Sequence, residues 1–154
     1  LIVCTVNCGD DDGESRTVVA GLAGKVDLDE LVGRKVVCAT NLKPAKMRGV
    51  ESTAMFLAAS DGNDGDTEQV ELLDVPDGVP NGELLSFEGK DKSEPDAMLK
   101  SKGALKAWER VKARLRSNGE GEACFDEEGG ENHRIVTGEG LPVTTESLKN
   151  AVIQ

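Results

Sequence analysis

A chain of 154 residues that is 38% hydrophobic can bury one core, or one core with a small annex. Its 29 acidic residues outnumber 18 basic ones for a formal net charge of −11, a field that as a whole repels nucleic acid. Aromatic residues are only 3%, with no Tyr, which argues against an RNA module that stacks bases on Phe and Tyr and requires a core of Val, Leu, Ala and Ile.

"LIVCTVNCG" alternates, with Ile2, Cys4, Val6 and Cys8 on one face, and reads as a strand ended by the acidic turn "GDDDGES". "RTVVAGL" (16–22) is a second strand. "DLDELVG" predicts a short helix with Asp27 as N-cap, Glu30 in the first turn and Gly33 just past the end. "RKVVCATN" is a strand entering a turn at Pro44, and "VESTAMFLAAS" is another, followed by the loop "DGNDGD". "EQVELLDVP" and "GELLSFEG" supply two short strands around the turn "DGVPNG". From Ser93 to Asn118 the spacing predicts a helix, with Met98, Leu105, Trp108, Val111 and Leu115 as its apolar stripe and Trp108 as anchor to the barrel. Strands return in "EACFDEE", "NHRIVTG" and "LPVTT".

Short strands, a small helix and glycine turns predict a mainly β fold: an OB-type Greek-key barrel with a short helix over residues 1–89, and a smaller C-terminal β subdomain with one longer helix over 90–154, packed on it. No run is long enough for a membrane span, and no charged-then-apolar leader opens the chain. The four cysteines lack a zinc-type CxxC pair, and Cys4 and Cys8 lie too far apart along one strand to bridge each other. They read as reduced, buried thiols of a reducing compartment. With one histidine, no metal site and no cofactor are expected.

The charge is segregated. Leu31–Val50 holds Arg34, Lys35, Lys43, Lys46 and Arg48 and no acid; Leu99–Asn118 holds seven basic residues against Glu109 alone. Two local patches can therefore attract an anion that the whole chain repels. Catalysis is not expected, because the inventory lacks a nucleophile motif, a phosphate-cradling glycine loop with Lys-Ser/Thr, and a metal cluster.

The segment "NLKPAKMRGVESTAM" (41–55) closely resembles the signature of the tRNA-binding domain family of the endothelial monocyte-activating polypeptide II type, found as C-terminal appendices of tyrosyl- and methionyl-tRNA synthetases and as free synthetase cofactors. The matching positions are Asn41, Leu42, Pro44, Lys46, Gly49, Ser52, Ala54 and Met55. "RTVVAGL", "DVPDGVPNGE", "AWERV" and "LPVTTESLKNAVIQ" extend the likeness over nearly the whole chain. The resemblance implies an OB barrel that binds tRNA by shape and backbone at the outer corner of the L, a C-terminal extension that imitates a second subunit in a monomer, and a cytoplasmic place beside an aminoacyl-tRNA synthetase, often in a multi-synthetase complex. It also implies a strand upstream of the one at Leu1–Cys8, and with it the segment tied to cytokine activity, neither of which this sequence contains. Its tRNA contacts would fall on Asn41, Lys43, Lys46, Arg48 and Ser52, with Arg34 and Lys35 beside them and Lys102, Lys106 and Arg110 as a secondary basic track. Asn41 and Ser52 serve equally as donors to phosphate or ribose and as satisfiers of the turn's own backbone. Pro44 and Gly49 shape the loop, Gly49 by permitting close backbone approach. The alternative is a protein-interaction scaffold with weak or no tRNA binding, and a third reading is a general single-strand binder.

Overall fold

The computed structural model describes residues 1–154. Strand β1 (Ile2–Val6) pairs antiparallel with β2 (Arg16–Ala20), in the register Cys4↔Val18 and Val6↔Arg16. The alternation of β1 is realised: Ile2, Cys4 and Val6 are half-buried against the core while Val3 and Thr5 face solvent. The predicted short helix is α1 (Leu28–Leu31), whose Asp27 carboxylate accepts from Asp29 N at 2.9 Å. This satisfies one of the amides that every helix start leaves without a partner.

Beyond α1, β3 (Cys38–Ala39) pairs with β6 (Met55–Phe56), and between them β4 (Ala45–Met47) and β5 (Val50–Ser52) form a tight hairpin. The next strand, β7 (Ala58–Ser60), is buried throughout. It pairs with β8 (Val70–Leu72), and β9 (Ser86–Phe87) follows.

The long helix is shorter than its pattern suggested. Helix α2 spans Lys102–Lys112, with Ser101 as N-cap accepting from Ala104 N at 3.0 Å. Residues 93–100 form no helix. Pro95 disfavours helical geometry in Glu94, and Ser101 offers the cap at which the helix begins. At the other end, Leu115–Ser117 is strand β10, with Leu115 and Ser117 buried and Arg116 exposed. That period of two overrides the helical reading. Trp108 and Val111 do anchor α2 on the core.

The remaining strands are β11 (Ala123–Asp126), β12 (Asn132–Val136) and β13 (Val152–Ile153). "LPVTT" contributes isolated bridges through Pro142 and Thr144, and the strand that was not foreseen is the terminal "VI". All pairings are antiparallel, and one seven-stranded sheet runs β8-β7-β13-β10-β11-β12-β9. The sheet crosses the boundary expected after Gly89: β7, β8 and β9 precede that residue and β10 to β13 follow it. Strand β13 sits between the halves, with Val152 opposite both Ser60 and Arg116.

Two apolar clusters flank this arrangement. Val18, Leu22, Ala54, Phe56, Ala58 and Leu72 fill the space among the short barrel pairs. Val37, Leu57, Ala59, Leu73, Leu115, Ile135, Val143 and Ile153 are among the residues that fill the other. The mainly β barrel with a short helix, extended by a further β region and one main helix, is the architecture expected.

His133 on β12 ties two segments together. Its ring is buried, 6% exposed, with Nδ1 at 2.8 Å from Glu88 O and Nε2 at 2.9 Å from Glu127 Oε2. Both neighbours are acceptors, so the ring satisfies both only as the imidazolium. These bonds hold its pKa above the ordinary value, against the opposing effects of burial and of the Lys90 charge. A raised folded-state pKa adds stability below the unfolded value of about 6.5, and that stability is lost as pH climbs through the raised value. Melting temperature is therefore expected to fall as pH rises from about 6.5 through the raised folded-state value. A His133→Gln chain should show a flatter profile across the same range. Parallel profiles would show that the clasp does not titrate.

Candidate nucleic-acid interface

The acid-free segment is built as a projecting hairpin. Met47↔Val50 closes it around a two-residue turn in which Arg48 (φ 50°) and Gly49 (φ 81°) both lie in the left-handed region. Two successive positive φ values define the type I′ turn, whose twist matches that of the flanking strands. Gly49 is required for that reason and not for close approach, since a Cβ placed on it would meet nothing within 4 Å. Arg48 carries a side chain where Asn or Gly is preferred, a conformation that costs of order 1 kcal/mol. Lys43, Pro44, Lys46, Met47 and Arg48 are all exposed.

The base of the hairpin is held by one guanidinium. Arg16 pairs with Asp10 through Nε–Oδ2 and Nη2–Oδ1 contacts of 2.8 Å each, and its Nη1 donates to Thr40 O at 2.8 Å and Thr53 O at 2.9 Å. It therefore fastens the acidic turn, the residue just past β3 and the link between β5 and β6 to each other. Hydrogen bonds from Arg16 hold the Asp10 carboxyl below the usual carboxylate range.

The two basic segments, far apart in sequence, meet at Asn41. Its side-chain amide donates to Asp96 O at 3.0 Å and its backbone carbonyl accepts from Leu99 N at 2.7 Å. The stretch leading into α2 is thereby stitched beside Lys43, and Lys100 follows directly. Lys102, Lys106 and Arg110 continue as an exposed row along α2 at four-residue spacing.

Most other cations are engaged. Arg34 pairs with Asp74 at 2.8 Å and donates to Leu72 O at 3.1 Å; Lys35 reaches Asn81 Oδ1 at 3.3 Å; Arg134 joins Glu88 and Glu122. Those with neither an ion pair nor a hydrogen bond are Lys43, Lys46, Arg48, Lys100, Lys102, Lys106 and Arg110, together with Lys92 and Lys149. Glu51 lies across the hairpin from Lys46 without pairing with it.

Two of the polar residues singled out from sequence are occupied by the fold. Ser52 is only 5% exposed; its hydroxyl accepts from Val19 N at 3.0 Å and donates to Ala54 O at 3.0 Å. Asn41 gives one side-chain donor to Asp96 O, as above. Nothing local marks Lys100, because its place next to the Asn41 contact depends on the bond from Leu99 N.

A small β barrel with exposed, unneutralised cations on a hairpin and a neighbouring helix defines an anion-binding module of the kind that grips a phosphate backbone. The comparisons make that class specific. Residues 1–84 match the family described as "Putative tRNA binding domain", and the chain belongs to this tRNA-binding domain family. It is 45% identical over 117 residues to "Probable methionine--tRNA ligase" of Oryza sativa subsp. japonica, covering 75% of this chain and 14% of that protein. It is 39% identical over 139 residues to the tRNA-aminoacylation cofactor arc1 of Schizosaccharomyces pombe, covering 90% and 29%. The C-terminal domain of Plasmodium vivax p43 superposes with a TM-score of 0.77 at 27% identity, covering 96% of this chain and 81% of that one. The chain thus spans less than a third of these two curated relatives.

Two substitutions separate shaping from contact. Ser52→Ala leaves the buried Val19 N–H without its acceptor and should lower unfolding free energy by about 1–3 kcal/mol in urea titrations. Arg48→Asn relieves the left-handed strain and should raise it by about 0.5–1 kcal/mol. A destabilised Arg48→Asn chain would show that the arginine side chain supports the hairpin.

Proposed function

We propose that this chain binds folded tRNA through the sugar–phosphate backbone, without selecting base sequence, and so assists an aminoacyl-tRNA synthetase to which it is joined or bound. The observation that carries the reading is the gathering of uncompensated cations at two segments that Asn41 brings side by side. Lys43, Lys46 and Arg48 on the hairpin form the primary contact, and Lys100, Lys102, Lys106 and Arg110 continue the track along α2. Exposed cations without partners gain little for the fold, but each can release a counterion on meeting a phosphate. The strained turn that keeps Arg48 at the hairpin tip supports the same assignment, because such strain is maintained where a side chain is needed.

Asn41 and Ser52 act here as positioning residues for the loop, and Arg34 and Lys35 flank the track while engaged elsewhere. The module itself performs no catalysis, and requires no cofactor or metal. It works in the cytoplasm as a monomer, with residues 90–154 supplying the surface that a second subunit would otherwise provide. Family membership and the synthetase and cofactor relatives support tRNA as the anion and a synthetase as the partner.

Binding should weaken as log Kd rises with log salt, with a slope on the order of 0.7–0.9 per phosphate contacted. Lys46→Glu should reduce affinity for unrelated tRNAs alike, on the order of tenfold, and reduce that slope by about one contact. Arg48→Asn should lose affinity while gaining stability. No tRNA binding at low salt by the folded chain would favour a protein-interaction scaffold. Preference for pyrimidine-rich single strands over folded tRNA would favour a general single-strand binder.

A further inference from the structure

We infer that Cys8 and Cys38 form a thiol–disulfide site, in which exchange with a low-molecular-weight disulfide such as oxidised glutathione joins the β1–β2 hairpin covalently to β3. The two cysteines are thirty positions apart, and neither lies in a ladder that pairs with the other. What holds them together is the Arg16 clamp. Its guanidinium grips the Asp10 carboxylate, two residues past Cys8, and the Thr40 carbonyl, two residues past Cys38.

The Cys8 segment is also wedged from the other side. A Cβ at Gly9 would meet Asn81 O at 2.5 Å, and one at Gly82 would meet Cys8 O at 2.9 Å. This leaves the backbone at Cys8 little room to retreat from Cys38. Both thiols border the same cavity, and each bears on the ionisation of the other. Cys4, on the same face of β1, has no such partner, and Cys124 is buried in the distant sheet.

The site has an order of events built into it. Burial raises the Cys8 thiol, but the Arg16 charge works against that rise, and Cys8 is held less far from its ordinary value than Cys38. Burial pushes Cys38 up to about 12, so it reacts second and from within the site. The Cys8 thiolate, its proton given to solvent, attacks one sulfur of the glutathione disulfide and expels one glutathione thiolate. Cys38 then loses its proton and attacks the Cys8 sulfur of the mixed disulfide, expelling the second. Two protein thiols and one glutathione disulfide become one protein disulfide and two glutathione thiols. High thiol pKa values slow this forward reaction at neutral pH. They also make both protein sulfurs poor leaving groups in reduction, so the bridge once formed is a persistent lock.

The test incubates the 154-residue chain with oxidised glutathione and follows free thiols, with tryptic peptides mapped without reduction. Titratable thiols should fall from four to two, faster as pH rises from about 7 to about 9. Peptides 1–16 and 36–46 should appear linked, with fragmentation placing the bond on Cys8 rather than Cys4. The bridged chain should melt several degrees higher, since a loop of this length is constrained in the unfolded state. In Cys38→Ser, glutathione should remain attached to Cys8. Overturning results are a bond placed on Cys4, a stable glutathione adduct on Cys8 while Cys38 stays free, linkage between chains, or four thiols unchanged at the alkaline end. None of these readouts depends on tRNA binding, so failure of this inference and failure of the proposed function are separable.

Discussion

Strand β7 has no solvent-facing side, and most of the architecture follows from that constraint. Ala58 belongs to the cluster among the barrel pairs and Ala59 to the cluster under the large sheet, so consecutive residues point into different cores. Alanine at both positions lets two layers approach one strand closely, where a longer side chain on either face would push them apart. With both faces buried, the edges of β7 also need partners. The strand that follows it in sequence supplies one as β8 and the chain's last strand supplies the other as β13. Residues on both sides of Gly89 therefore share one hydrogen-bonded sheet and one core.

Electrostatics is organised by the same packing. The sheet and its loops place Arg34 against Asp74, Arg134 between Glu88 and Glu122, and Lys90 against Glu127, so these cations are locally neutralised. The hairpin and α2 project without carboxylates within ion-pair distance of their outward cations, Lys112 excepted. A net charge of −11 is thus compatible with two positive surfaces, because the excess acid is spread over turns elsewhere. Arg16 has a different role from the exposed cations. With four hydrogen bonds within 2.9 Å it is a structural bolt, and it fixes the loop base together with the neighbouring cysteines.

Local chemistry made a good part of this legible. The alternation of β1, the Asp27 cap, the Trp108 anchor and the motif from Asn41 to Met55 are properties of short stretches, and such stretches carry their own periodicity and turn signals. The stretch from Ser93 misled because a helical period and a PxxxxxS boundary compete, and Ser101 captured the helix start. The terminal "VI" was illegible as a strand because two residues show no period. Only the vacancy between Ser60 and Arg116 gives them an edge to join. Asn41 and Ser52 read as ligand donors because their type permits it; contacts with Val19 and Ala54 engage the Ser52 hydroxyl on both sides, while Asn41 gives one side-chain donor to Asp96.

The amino-acid order by itself determined a mainly β chain, its membership of a tRNA-binding family and the basic, acid-free run around Pro44, since composition and motif are local facts, whereas the type I′ hairpin emerged only with the fold. Tertiary structure alone decided which cations stay unpaired, that Asn41 holds the segment leading into α2, and that Cys8 and Cys38 border one cavity. Those outcomes depend on contacts between residues tens of positions apart, and no local period or propensity encodes where such residues meet.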